Sequence, residues 1–157
     1  EEKFVKQSTN VIRKHITFKH YTMMLVIDAN IVFAAILNPS GITADLLFSP
    51  KIECISPEFL EEEIKKYIEY LTTKSKCSKS DIEIALHLIL SHLQIIPATE
   101  YEKYITEAVN FSPDPKDVEY FAVAMAYNCS LWSNDKQLQA QPKIKIISTA
   151  ELLKLQN

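Results

Sequence analysis

The chain is poor in several things. It has one glycine, one tryptophan and three scattered cysteines, Cys54, Cys77 and Cys129, an odd number with no CxxC pair. That pattern excludes a disulfide framework and a zinc knuckle, and it makes a reducing cytoplasm the expected compartment. No apolar run approaches the roughly 18 residues a membrane span needs, and the N-terminal stretch lacks the apolar core of a signal peptide. No membrane association is expected. Positive charge is not in excess either: 17 Lys and Arg against 20 Asp and Glu leave a net charge of −3. Any contact with nucleic acid therefore has to come from a local basic patch. What is present is ordinary for a folded protein, 47% hydrophobic and 24% charged, in 157 residues. A chain of that size forms one domain and buries about two-thirds of its unfolded surface.

Residues 1–22, EEKFVKQSTNVIRKHITFKHYT, are mixed polar and basic and end at Met23-Met24, which looks like a natural start. They are read as an N-terminal extension, with no role beyond a basic arm, and residues 23–157 as the domain. From Met24 the pattern sharpens. LVID is a short apolar run closed by an acid and reads as a buried strand; IVFAAIL continues as helix to the breaker cluster Asn38-Pro39-Ser40-Gly41. KIECIS is a second strand. Ser56 and Pro57 read as the N-cap and first turn of the amphipathic helix EFLEEEIKKYIEYL, whose apolar stripe is Leu60, Ile64, Tyr67, Ile68 and Leu71. Thr72 to Ser80 reads as a basic connector, with Ser80 or Asp81 capping the helix that follows. Then come a strand QIIPA, a helix from Tyr101 to Val109, a Pro-rich loop, the Ala-rich helix DVEYFAVAMAYN, a strand CSLWS, a last strand Ile144 to Ile147 and a closing helix. Short continuous apolar strands alternating with helices predict an α/β domain, its sheet parallel and covered on both faces. In such sheets ligands bind beyond the carboxyl ends of the strands.

Acids stand at those ends. Asp28 follows LVI, Asp117 opens the Ala-rich helix, Asp135 follows LWSN, and the helix after Pro57 offers a glutamate as a fourth. Carboxylates brought together repel unless a cation sits among them. An all-oxygen set without His or Cys favours Mg²⁺ or Mn²⁺ over zinc.

With these segments the chain resembles the PIN-domain family, the fold of VapC-type toxins and related endoribonucleases. The resemblance covers Met24 to about Leu153 and rests on LVIDANIVFAAIL, SPEFLEEEIKKYI and DPKDVEYFAVAMAYNCSLWSNDKQL in that order. It implies a three-layer α/β/α architecture with a mostly parallel central sheet. The family's first acid falls on Asp28, its polar neighbour on Asn30, its third acid on Asp117, and its closing T-x-D motif on Ser133-Asn134-Asp135, with Ser133 keeping the hydroxyl. The second acid is one of Glu61, Glu62 and Glu63. Glu63, at a border of the apolar stripe and directly before Ile64, is the choice, with Glu61 and Glu62 as alternatives. Asp114 is either an accessory acid or a turn aspartate between Pro113 and Pro115. The resemblance implies a divalent cation bound by Asp28, Glu63 and Asp117 with Asp135 completing the set, Asn30 and Ser133 holding carboxylates in place, and hydrolysis of RNA.

Each acid also has a plainer reading: Asp28 and Asp135 as turn residues, Asp117 as a cap, Glu63 as an acid serving the helix dipole. His87 and His92, five apart, do not share a helix face and are read as surface or core-edge residues; Trp132 is read as core. Lys65, Lys66 and Lys136 lie nearest the predicted site and are the candidates for holding an RNA backbone, whereas Lys74, Lys76 and Lys79 read as a solvated loop. The helical stripes of residues 58–71 and 81–93 can build a homodimer face, which the resemblance implies, as it implies an antitoxin protein if the chain is a toxin. The rival readings are a silent PIN-fold module that binds RNA or protein and a structure-specific DNA nuclease. The intact set of four acids argues against the first, and the lack of room for a long helical arch against the second.

Overall fold

The strands form where unbroken apolar runs occur. In the computed structural model, which describes residues 22–157, these are β1 (Met23–Ile27), β2 (Ile52–Pro57), β3 (Gln94–Ile96), β4 (Ser130–Trp132) and β5 (Ile146–Ile147). The expectations for the N-terminal extension fall outside the described residues. Every pairing is parallel, and the strand order is β3-β2-β1-β4-β5. A parallel sheet needs a crossover between successive strands, and helices supply it. They are α1 (Ala29–Leu37), α2 (Ile42–Leu47), α3 (Phe59–Ser75), α4 (Lys79–His92), the short α5 (Ala98–Tyr101), α6 (Ile105–Phe111), α7 (Val118–Tyr127) and α8 (Thr149–Gln156).

β1 begins the chain's pairing with β2 on one side and takes β4 on the other, with Ile27 level with Trp132. The strand order reverses between β1 and β4, which places a crevice beyond their carboxyl ends, the usual site of ligands in open α/β sheets. α7 lies across β1, β2 and β4. Its Phe121, Ala122, Val123 and Ala124 have no exposed surface, and the two alanines let the helix approach closely. Among the described residues, no helix is long and apolar enough to cross a membrane.

Several local expectations are corrected. Ser56 and Pro57 do not open a helix. They extend β2, because Ser56 and Pro57 pair with Ile95 and Ile96 of β3 and Glu58 N–H donates to Ile96 O at 3.0 Å. The Ser56 hydroxyl donates to Ile27 O at 2.9 Å instead of capping. The Glu58 carboxylate accepts from Ala98 N–H at 3.1 Å, so the residue before α3 caps a different helix, α5. α3 also runs to Ser75, into the predicted connector. Thr72, Thr73 and Ser75 donate to the carbonyls of Ile68, Glu69 and Leu71, which keeps their hydroxyls from competing with the helix. Lys76 then stops it in the left-handed conformation, φ 58°. Ser78, not Ser80 or Asp81, caps α4, in a reciprocal box with Asp81. Tyr67 is exposed rather than in the core, its ring 5.4 Å from that of Phe33. Gly41 has an ordinary φ of −92°; a Cβ there would stand 2.4 Å from the Asn38 amide nitrogen, so a larger residue would have to displace that exposed side chain.

Candidate metal centre

Asp28 is the first residue after β1 and the N-cap of α1, so one carboxylate has two tasks. It accepts from Ile31 N–H at 3.1 Å and is almost fully buried. Burial pushes its carboxyl up to about 6. The Glu63 carboxylate adds to the rise, while hydrogen bonds from the Ser133 hydroxyl and the backbone of Ile31 and Asn30 hold it down. The parallel register explains the Ser133 contact: Ile27 is level with Trp132, so the residues that follow them, Asp28 and Ser133, emerge side by side. Ser133 Oγ also accepts from Asp135 N–H at 3.1 Å. One buried hydroxyl thus joins the first and last acids.

Asp117 lies in a 3₁₀ turn, Pro115–Asp117, that leads into α7. It stands at the N-cap position without a side-chain capping hydrogen bond. Its carboxyl is pushed up to about 7, first by burial and then by Asp114, Asp28, Glu63 and Asp135. Every charge acting on it is therefore another acid. Asp114 combines both of its predicted readings: its carboxylate accepts from Lys116 N–H at 2.9 Å as a turn aspartate, and it is the acid that raises Asp117 most. Asp135 accepts from Gln137 N–H at 2.8 Å in the turn after β4.

Of the three consecutive glutamates, only Glu63 belongs to this group. Its charge acts on both Asp28 and Asp117, whereas Glu61 and Glu62 line a separate groove of about 550 Å³ with Glu58, Glu102 and Glu119. Lys65 lies in that groove too, which glutamates otherwise dominate, and Lys66 Nζ sits 5.8 Å from the Phe59 ring. Lys136 is exposed directly beside Asp135. The Asn30 side chain is exposed on the first turn of α1, and only its backbone N–H reaches Asp28.

Tyr120 was not among the predicted site residues. Its hydroxyl donates to Glu63 Oε2, its ring is buried, and its phenol is pushed up from the ordinary value, first by burial and then by the hydrogen bond to Glu63 and the acids around it. The signal was available in the spacing, because Tyr120 follows Asp117 by three residues and so shares its helix face.

Among the described residues none of the four acids forms an ion pair; the two salt bridges, Lys79–Glu83 and Lys143–Glu107, lie elsewhere. Mutual repulsion without a balancing cation fits a divalent ion. No three His, Cys, Asp or Glu side chains among the described residues close into a ready ligand shell.

A family model described as "PIN domain" matches residues 26–152. Among solved structures, the chain is similar to VapBC2 from Rickettsia felis bound to a DNA fragment from their promoter, at 20% identity and a TM-score of 0.59, over 80% of this chain and 98% of that one. It is also similar to PAE2754 from Pyrobaculum aerophilum, at 16% identity and a TM-score of 0.58, over 88% of this chain and 94% of that one. At these identities the likeness is one of fold. No curated protein matches the chain.

Proposed function

Because the chain belongs to the PIN-domain family, a nuclease and toxin family, we propose that it is a metal-dependent endoribonuclease hydrolysing RNA phosphodiester bonds with Mg²⁺ or Mn²⁺. The observation that carries this reading is Asp117, a carboxyl pushed up to about 7 by burial and by four other acids, with no cation among the described residues to relieve it. Asp28, Glu63, Asp117 and Asp135 are the residues that would hold the ion. When bound, a divalent cation offsets their charge, draws the scissile phosphate in and makes an attacking water more acidic.

The chain's own groups then have distinct tasks. Ser133 donates to Asp28 and fixes the orientation of its carboxylate, while the Asp135 N–H holds the Ser133 hydroxyl in turn. The buried floor formed by Ile27, Trp132 and Phe121 limits water behind the acids and so strengthens their pull on a cation. Lys136 is the cation best placed for the RNA backbone, since Lys65 faces glutamates. Three free cysteines accord with a cytoplasmic protein. Within this reading the chain acts either as an RNA-processing nuclease or as the toxin of a pair with an antitoxin protein, and the fold it shares with VapBC2 supports the second. It also works as a homodimer, with Tyr70, Ile84 and Leu88 of α3 and α4 as exposed apolar contacts.

The test is cleavage of a labelled single-stranded RNA with Mg²⁺ or Mn²⁺, against EDTA and an Asp28→Asn variant. Metal-dependent cutting that falls at least about a hundredfold in Asp28→Asn supports the reading. A folded protein that cuts neither RNA nor DNA and takes up no Mn²⁺ instead indicates a silent binding module.

A further inference from the structure

A glutamate on a helix surface has three side-chain torsions and two equivalent oxygens, so where it points and how many oxygens it offers depend on its neighbours. Glu63 is half-buried in the second turn of α3, and among the described residues the single hydrogen bond to its carboxylate comes from the Tyr120 hydroxyl, to Oε2. Tyr120 cannot move to follow it. Its side chain is 1% exposed, and it sits in α7 between Val118 and Phe121, both buried. Asp117 stands three residues earlier, at the N-cap of α7, so the start of one helix supplies an acid and its first turn also fixes the acid that faces it from α3.

From this contact we propose that Tyr120 is a positioning residue: it takes one lone pair of Glu63 Oε2 and fixes the carboxylate, so that Glu63 serves a cation chiefly through Oε1. The inference rests on the cation reading above and adds selectivity to it. Mg²⁺ and Mn²⁺ take single carboxylate oxygens in near-octahedral shells, whereas Ca²⁺ is larger and readily takes both oxygens of one carboxylate. A glutamate restrained to one oxygen favours the smaller ions. Releasing it removes that preference.

The experiment measures the affinity of the metal-free protein for Mn²⁺, by electron paramagnetic resonance, and for Ca²⁺, by competition. Wild type is compared with Tyr120→Phe, Glu63→Gln and the double variant, and the fold is followed by circular dichroism. Tyr120→Phe is expected to lower Mn²⁺ affinity about tenfold while Ca²⁺ affinity holds or rises, so the ratio of the two shifts. The double variant should bind Mn²⁺ no more weakly than Glu63→Gln, because Tyr120 acts through that carboxylate. If removing the hydroxyl leaves a destabilising void, 4-fluorophenylalanine at position 120 fills the space without donating and should shift the ratio the same way. An unchanged ratio in a wild type that does bind Mn²⁺, or losses that multiply in the double variant, would overturn the role of Tyr120 alone. A wild type that binds no Mn²⁺ would remove the cation reading and this inference together.

Discussion

Asp117 enters α7 among carboxylates, and its response to pH follows from that position. Its folded-state carboxyl titrates near 7 against an ordinary 3.8, and that of Asp28 near 6. Folded protein therefore holds these protons more tightly than unfolded chain does. Their contribution to stability is fully present below about pH 4 and is lost as pH rises through 6 and 7. Melting temperature measured in EDTA should accordingly fall between pH 5 and pH 8. Asp117→Asn should flatten that slope and raise the melting point at pH 8 by about 3 °C; an unaltered slope would contradict the acid cluster. Ser133 makes a second case. Ser133→Ala strands a buried Asp28 carboxylate and the Asp135 N–H, and urea unfolding should register a loss of about 1–3 kcal/mol, whereas Ser133→Thr keeps the hydroxyl and should lose little. Asp28, Asp117 and Asp135 could be read from sequence because each follows an apolar run or opens a helix. Tyr120 could not be read so easily: a tyrosine in an apolar helix reads as core, and its partner lies 57 residues away.

Among the elements, helices and strands were legible in kind, and the errors fell at boundaries where a distant partner decides. Ser-Pro before an acidic amphipathic stretch has every local mark of a helix start. Pairing with β3, some 40 residues on, keeps both residues in β2 instead. The end of α3 turned on a similar competition, its Thr and Ser hydroxyls satisfied within the helix rather than breaking it. Lys76 pays for that ending with a left-handed backbone that only glycine adopts freely. Lys76→Gly should therefore stabilise the protein by about 1 kcal/mol, read as a higher urea midpoint with unchanged m-value. A lower midpoint would mean that the lysine side chain contributes contacts that its backbone strain conceals.

For the molecule as a whole, a parallel sheet with helices on it was legible from the alternation of segments. The order of the strands was not, since it depends on which residues pair across about 15 to 105 positions of chain. The order matters because it sets Asp28 and Ser133 side by side past the ends of β1 and β4, where the acids of residues 28, 63 and 135 all act on Asp117. Cation binding should thus register globally: Mg²⁺ or Mn²⁺ at a hundredfold excess over its dissociation constant stabilises by about 2.7 kcal/mol. Differential scanning calorimetry should show that rise in wild type and not in Asp28→Asn.

The place of β4 beside β1 also sets a timetable. A chain leaving the ribosome releases Asp28 early, but the edge of β1 that β4 will occupy stays open until residues 130–132 emerge, and Ser133 and Asp135 come only after them. A nascent copy with residues 130–135 still in the exit tunnel holds its first acid without the hydroxyl that orients it or the acid that completes the set. If the domain cuts RNA as proposed, it is born disarmed, and the message being translated is out of danger until residues 130–135 have left the ribosome.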